Sequence, residues 1–338
     1  MHALGSWWQG VSTRTTISPM GITWETAIPL LSFMTTGLLL YLWRQLCYGK
    51  FCHSGRVNDI FFIRRRPIME KWIRFGEKLR NLVNPSTFPV AVKFLKGEDE
   101  IPKRTRRPLR DLGVKMAPCQ GSAMARHYGW TVAFTREDVG CAIAAHTYGW
   151  ERVTNKDGPI YFLTQMSYVS DENAAVDAFE AFPMLEADHD PIVVYSPLER
   201  TKVEPDVILI YLTPAQMMRL IHGATYHTGR PVESSFSGRA ASCTEGVISA
   251  YLDDAPKVVV PGNGDRVWAN CQDHEMIMAV PGSRLAEVVE GLEKTHRKGI
   301  RYPIPSYLRY QPEVGFTLPL ADIFKPEELD KLVKRRNS

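Results

Sequence analysis

Pro89-Val-Ala-Val-Lys-Phe-Leu95 and Pro191-Ile-Val-Val-Tyr-Ser-Pro197 are look-alike apolar runs set far apart in one chain. Short valine-rich segments bounded by breakers read as strands. Two cysteines follow each run, Cys119 and Cys141 after the first and Cys243 and Cys271 after the second. The order suggests a duplicated scaffold with a shared thiol site. Outward from these runs, helical spacing of Ile68, Trp72, Phe75, Leu79 and Leu82 predicts a helix from Pro67 that stops at Asn84-Pro85. Further strands are expected at Tyr161 to Ser167, Val207 to Leu212 and Met276 to Val280. Helices are expected at Ala123 to Tyr128, after Thr135, at Asp171 to Phe179, Pro214 to His222, after Ser242, and at Ser283 to His296. Strands alternating with helices indicate an α/β or α+β domain, read here as two pseudo-duplicated α/β halves.

The chain has 338 residues, 44% hydrophobic and 23% charged, which is ordinary globular material. Its net charge of +4 is small, and the basic runs lack the aromatic or groove-reading surroundings of a nucleic-acid binder, so no nucleic-acid partner is expected. Thr26 to Trp43 is a run of 18 uncharged residues, just enough for a short transmembrane helix. Trp24, Tyr41 and Trp43 are placed as interfacial aromatics. Arg44, Lys50, Arg56 and Arg64 to Arg66 follow the run, against Arg14 before it, so the positive-inside rule puts the main domain in the cytoplasm. No basic leader or small-x-small site supports a cleavable signal instead. The expected organisation is an extracytoplasmic segment 1–23, a transmembrane helix 24–46, a basic connector 47–66, a globular domain 67–324 and a basic helix or tail 325–338. A reducing compartment disfavours disulfides and leaves the thiols to bind or react.

Two of those thiols are expected at helix starts. Ser242-Cys243-Thr244-Glu245 spells a capping box that would put Cys243 at the first helical position. Pro118 before and Gly129 after a short helix would put Cys119 near its second position. Free amides and the helix dipole there favour a thiolate, able to ligate a metal or attack an electrophile. Cys141 lies on a small-residue helix, Cys141-Ala-Ile-Ala-Ala-His146, behind a second capping-box spelling at Thr135 to Asp138. Cys271, in Trp268-Ala-Asn-Cys-Gln-Asp-His274, is the least placed of the four. No Cys-x-x-Cys spacing is present, so a shared site must be assembled by the fold.

Together these pieces resemble the domain of unknown function family 169 of bacteria and archaea, over about 82–292. The resemblance is carried by Pro89 to Leu95, Cys119 with Arg126 and Gly129, Glu137-Asp-Val-Gly-Cys141 with Gly149, Pro205-Asp-Val207 ahead of Pro214 and Gln216, Cys243, and Gly264-Asp-Arg266 ahead of Val280-Pro281. Family members often carry a cysteine just before the Gly-Asp-Arg, where this chain has Gly-Asn-Gly and Cys271 downstream.

The expectation that follows is a membrane-tethered protein holding an iron-sulfur cluster or another thiolate-held metal centre in a redox role. Cys119, Cys141 and Cys243 would be ligands, with Cys271 as the fourth. Haem, with His146 as an axial ligand, or no cofactor at all are the alternatives. A second reading is a cysteine-dependent enzyme in which Arg126, Arg239 or Arg266 holds a small acidic substrate or cofactor group. A third is a non-catalytic subunit of a membrane complex. A membrane-complex or redox partner is expected under the first and third.

Overall fold

The computed structural model describes residues 67–151, 157–186 and 190–304. All of them belong to one compact unit that begins at Arg65. The expected segments 1–23, 24–46, 47–66 and 325–338 lie outside the described residues or at their border. Among the described residues no helix is long and apolar enough to cross a membrane. The single-pass membrane protein with a cytoplasmic domain is therefore withdrawn, together with its membrane partner. It rested on the run Thr26 to Trp43, which Pro29, Thr35, Thr36 and Gly37 dilute, with its flanking aromatics and the basic residues after it, all outside the described residues.

The first helix, α1 (Pro67–Leu82), forms where expected. Trp72 and Leu79 are fully buried along one stripe, and Asn84 at φ 55° with Pro85 behind it ends the run. The next elements are β1 (Val90–Leu95), the short α2 (Pro118–Ala123), β2 (Val132–Phe134) and α3 (Ala142–Thr147). A helical pair follows, α4 (Asp157–Gln165) and α5 (Glu172–Glu180). Then come β3 (Ile192–Pro197), β4 (Val207–Leu212), α6 (Pro214–Thr225), α7 (Ser249–Asp253), β5 (Lys257–Val259), α8 (Asn263–Val267), β6 (Met276–Pro281) and α9 (Leu285–Arg297).

The strands form one six-stranded sheet in the order β2-β3-β1-β4-β6-β5, and all their pairings are antiparallel. The two look-alike runs are neighbours within it, with Val92 opposite Tyr195 and Phe94 opposite Val193. One antiparallel sheet thus replaces the expected pair of α/β halves. Antiparallel pairing makes the similarity of the runs a matter of matched burial on both faces.

Side-chain alternation sorts that burial. Ile208, Ile210 and Leu212 face a core built with Trp72, Leu79, Leu220, Leu285 and Leu292 from α1, α6 and α9. Val207, Leu209 and Tyr211 face the opposite core, with Val92, Tyr195, Tyr148 and Val247. On this second face the cover consists of short small-residue helices and π-helical turns.

The expected strand at Tyr161 to Ser167 is instead part of α4. Ile160 and Leu163 point one way, onto Ala175 and Ala178 of α5, while Tyr161 is exposed. The contact has a period of three, and the short apolar run Tyr161-Phe162-Leu163 obscured it. The two missed strands, β2 and β5, have three residues each and form the sheet edges.

Close approach of α2 to the sheet depends on Gly121. A Cβ there would lie 2.4 Å from Phe134 Cε2 and 3.1 Å from Tyr195 Cδ2. Gly121→Ala is expected to cost roughly 1–3 kcal/mol by overpacking, measured by denaturant unfolding. Unchanged stability would show that α2 does not rest on β2 and β3 as described.

Candidate functional site

The second face of the sheet gathers the four described thiols in two adjoining clusters that share Cys141. Pro118 opens α2 and puts Cys119 at its second position, as the sequence indicated. The helix then widens into a π-helical turn, Met124–Tyr128, and ends at Gly129 with φ 71°. Cys141 is the residue capping the start of α3, after a Thr135 to Asp138 turn whose capping box does form. Cys243 lies inside a π-helical segment, Ala241–Ile248, that leads into α7. Insertions of this kind widen a helix locally and are frequent at functional sites.

The capping box expected at Ser242 is not made. The Ser242 amide donates to Asp265 Oδ2 at 3.1 Å and its hydroxyl donates to Asp265 Oδ1. Glu245 accepts instead from the Ser237 amide at 2.7 Å. Asp265 also accepts from the Gly262 amide at 3.1 Å, so one buried carboxyl ties the π-helical segment to the turn that opens α8.

Cys119 and Cys141 share a small apolar cluster with Ala117, Ala123 and Ala269. Cys141 and Cys243 both pack against the larger core under the sheet. Cys119 Sγ lies 4.0 Å from the Gly264 carbonyl oxygen. The sulfurs are close enough for charge on one to act on another. Burial pushes the Cys119 thiol up, and the charges of Asp265 and Cys141 push it further. Burial also raises Cys243, helped by Cys141, Cys119 and Asp265. Cys141 is raised by burial as well, but the amides of Ala144 and Ile143 oppose the rise. The Asp265 carboxyl is itself raised by burial, against the stabilising effect of Ser242, Gly262 and Arg266.

These directions correct the expected helix-start thiolates. Desolvation in this pocket outweighs the amides, so the thiols stay protonated at neutral pH. The metal centre is corrected with them. Among the described residues no group of three or more His, Cys, Asp or Glu side chains could hold a metal ion. The iron-sulfur reading is set aside.

Cys271 is buried in the same core that Cys141 and Cys243 pack against, but its nearest polar neighbours are Glu275 and Arg126. Its thiol is pushed up to about 12 by burial and by Glu275, against the pull of Arg126. Arg126 is 1% exposed and forms a bidentate pair with Glu275, at 2.7 and 2.9 Å. It also donates to the Asn270 carbonyl at 2.9 Å and stacks over the Tyr211 ring at 3.9 Å. It is thus engaged internally, although expected to hold a cofactor. Arg266 donates to the Gln272 carbonyl at 2.9 Å. His146, the alternative haem ligand, stacks on Phe179 with ring centroids 4.6 Å apart.

Sequence reasoning missed Asp265 as the hub, although Gly264-Asp-Arg266 was read as a motif. It also missed the buried tyrosines. Tyr148 and Tyr195 hydroxyls are 2.9 Å apart, and Tyr211 pairs with Ser122 at 2.8 Å. The signal for Tyr195 and Tyr211 was available in the strand alternation, which turns both rings toward the thiol face.

Burial pushes Glu275 up, but the Arg126 hydrogen bonds and the Gln272 amide outweigh it and hold the carboxyl below its usual range. Its contribution is therefore complete above the unfolded glutamate pKa of about 4.3 and is lost as pH falls through the lower folded value. Glu275→Ala, which leaves Arg126 buried and unpaired, should cost about 3–5 kcal/mol at pH 7. Glu275→Gln should flatten the acid limb of Tm against pH. An unaltered acid limb in the glutamine variant would refute the assignment.

A family profile matches residues 78–291, a region that takes in Cys119, Cys141, Cys243, Cys271 and Asp265. Among curated proteins, the uncharacterized protein MJ0308 of Methanocaldococcus jannaschii is 29% identical over 221 residues, which is 64% of this chain and 92% of that protein. No solved structure matches. The family match stands, while no helix among the described residues supports the anchor expected in front of it. With the matched region covering more than half of its length and all of the thiol pocket, the chain belongs to the DUF169 family, uncharacterised ArCR.

Proposed function

We propose that the protein acts through a buried dithiol, Cys119 and Cys141, that cycles between free thiols and a disulfide. The observation that carries this reading is the single apolar cluster shared by these two residues, which come from different elements and flank Asp265. All four described cysteines are free. Cys141 is the first to react, because it is the less buried of the two and the Ala144 and Ile143 amides oppose the rise that burial imposes on it.

Its sulfur attacks a peroxide oxygen, the O–O bond breaks, and hydroxide leaves, giving a sulfenic acid on Cys141. The Cys119 sulfur then displaces water from that sulfenic acid, giving up its proton as the S–S bond forms. Two thiols and one hydrogen peroxide thus yield one disulfide and two waters. Burial keeps over-oxidation slow, and Cys243 stands beside the pair as a third thiol able to exchange with it.

Hydrogen peroxide added to the reduced full chain, followed by non-reducing peptide mass spectrometry, tests this. A Cys119–Cys141 linked peptide is expected, reversible by dithiothreitol and absent in Cys141→Ser. Its rate of formation should rise with pH, since the attacking sulfur must first lose its proton. If the thiols of the folded protein stay free, or only Cys47 and Cys52 become linked, the reading fails.

A further inference from the structure

A second site lies away from the thiols, where a cleft of about 600 Å³ opens between α1, the loop that follows it, and the π-helical turn at His127. We propose that this cleft binds a small zwitterion of the amino-acid class, with Arg80 taking its carboxylate and Glu199 its ammonium group. The volume is that of a small-molecule site.

Arg80 and Glu199 are hydrogen-bonded to each other as an ion pair at the wall, the arginine side chain half exposed and the glutamate largely buried, so a ligand enters by parting them. A ligand with one charge would neutralise one member and leave the other stranded. A ligand with both charges, placed between them, satisfies both.

The chain is built to hold Glu199 there. A Cβ at Gly76 would lie 2.3 Å from Glu199 Cγ and 2.8 Å from its Oε1. Glycine, a poor helix former, therefore stands in the middle of α1 to let the glutamate lie against it. Two further polar groups line the space. Thr87 Oγ1 is buried without a hydrogen-bond partner. His127 is kept neutral, first by burial and then by the charge of Arg126, so its imidazole offers one donor and one acceptor. The loop is fixed at both ends: Gln216 Nε2 donates to the Asn84 carbonyl at 2.6 Å, and the Phe88 amide donates to the Arg126 carbonyl at 3.3 Å. That wall is preformed, and the Arg80–Glu199 pair is the part that must open.

The test is a thermal-shift screen of the full chain against the twenty standard amino acids, followed by calorimetry on any that act. Propionate and propylamine serve as single-charge controls. At least one amino acid is expected to raise Tm while neither control does. Glu199→Gln and Arg80→Gln should each weaken that binding at least tenfold. Gly76→Ala, whose Cβ would displace the Glu199 side chain, should weaken binding to the same degree, with helix propensity offsetting part of the overpacking cost. The proposal is overturned if no amino acid shifts Tm, if a control binds equally well, or if binding survives Glu199→Gln.

Discussion

Every side chain of Val207–Leu212 is buried, and the same holds for Ile192–Pro197. Strands of this kind need cover on both faces of the sheet, because an exposed face of valine, isoleucine and tyrosine would be left in water. The two covers differ in kind. One is a layer of regular amphipathic helices, α1, α6 and α9, whose large side chains fill the space to the sheet. The other is made of short helices rich in Ala, Gly and Ser, which approach the sheet closely. The thiols are on the second cover because cysteine is small enough to belong to it.

That placement also decides their chemistry. Amides at the starts of α2 and α3 point at Cys119 and Cys141, and in water they would lower a thiol pKa. In a dry pocket beside a carboxyl the desolvation cost is larger, and the sulfurs stay protonated. Asp265 spans the two elements that complete the pocket, accepting from Ser242 on one side and Gly262 on the other. A polar tie of this sort fixes where the π-helical segment sits and so where Cys243 sits. The Arg126–Glu275 pair does comparable work next to Cys271.

Much of the architecture was legible in the chain. The alternating runs at Val90 and Val207, the α1 stripe and the Pro118 helix start all formed as their local chemistry indicates. What was not legible depended on partners distant in sequence. The Ser242 to Glu245 spelling satisfies a capping rule, yet Asp265 competes for Ser242 and Ser237 for Glu245, so the box never closes. The short apolar run at Tyr161 reads as a strand by its composition, and its helix is fixed by Leu163 meeting Ala175 and Ala178 of α5. The grouping of Cys119, Cys141 and Cys243 was anticipated, but their protonation was not, since spacing carries the helix dipole and no information about burial. The Arg80–Glu199 cleft could not be seen at all, because its walls meet only through the packing of α1 on the turn after β3.

The gathering of thiols is the claim on which the account rests, and phenylarsine oxide tests it most directly. Trivalent arsenic bridges sulfurs that the fold already holds together and gains little from isolated ones. Native mass spectrometry of the reduced full chain should show one arsenical bound, with at least two of Cys119, Cys141 and Cys243 protected from subsequent alkylation and Cys271 unaffected. Absence of uptake by the folded protein, or uptake confined to Cys47 and Cys52, would contradict it.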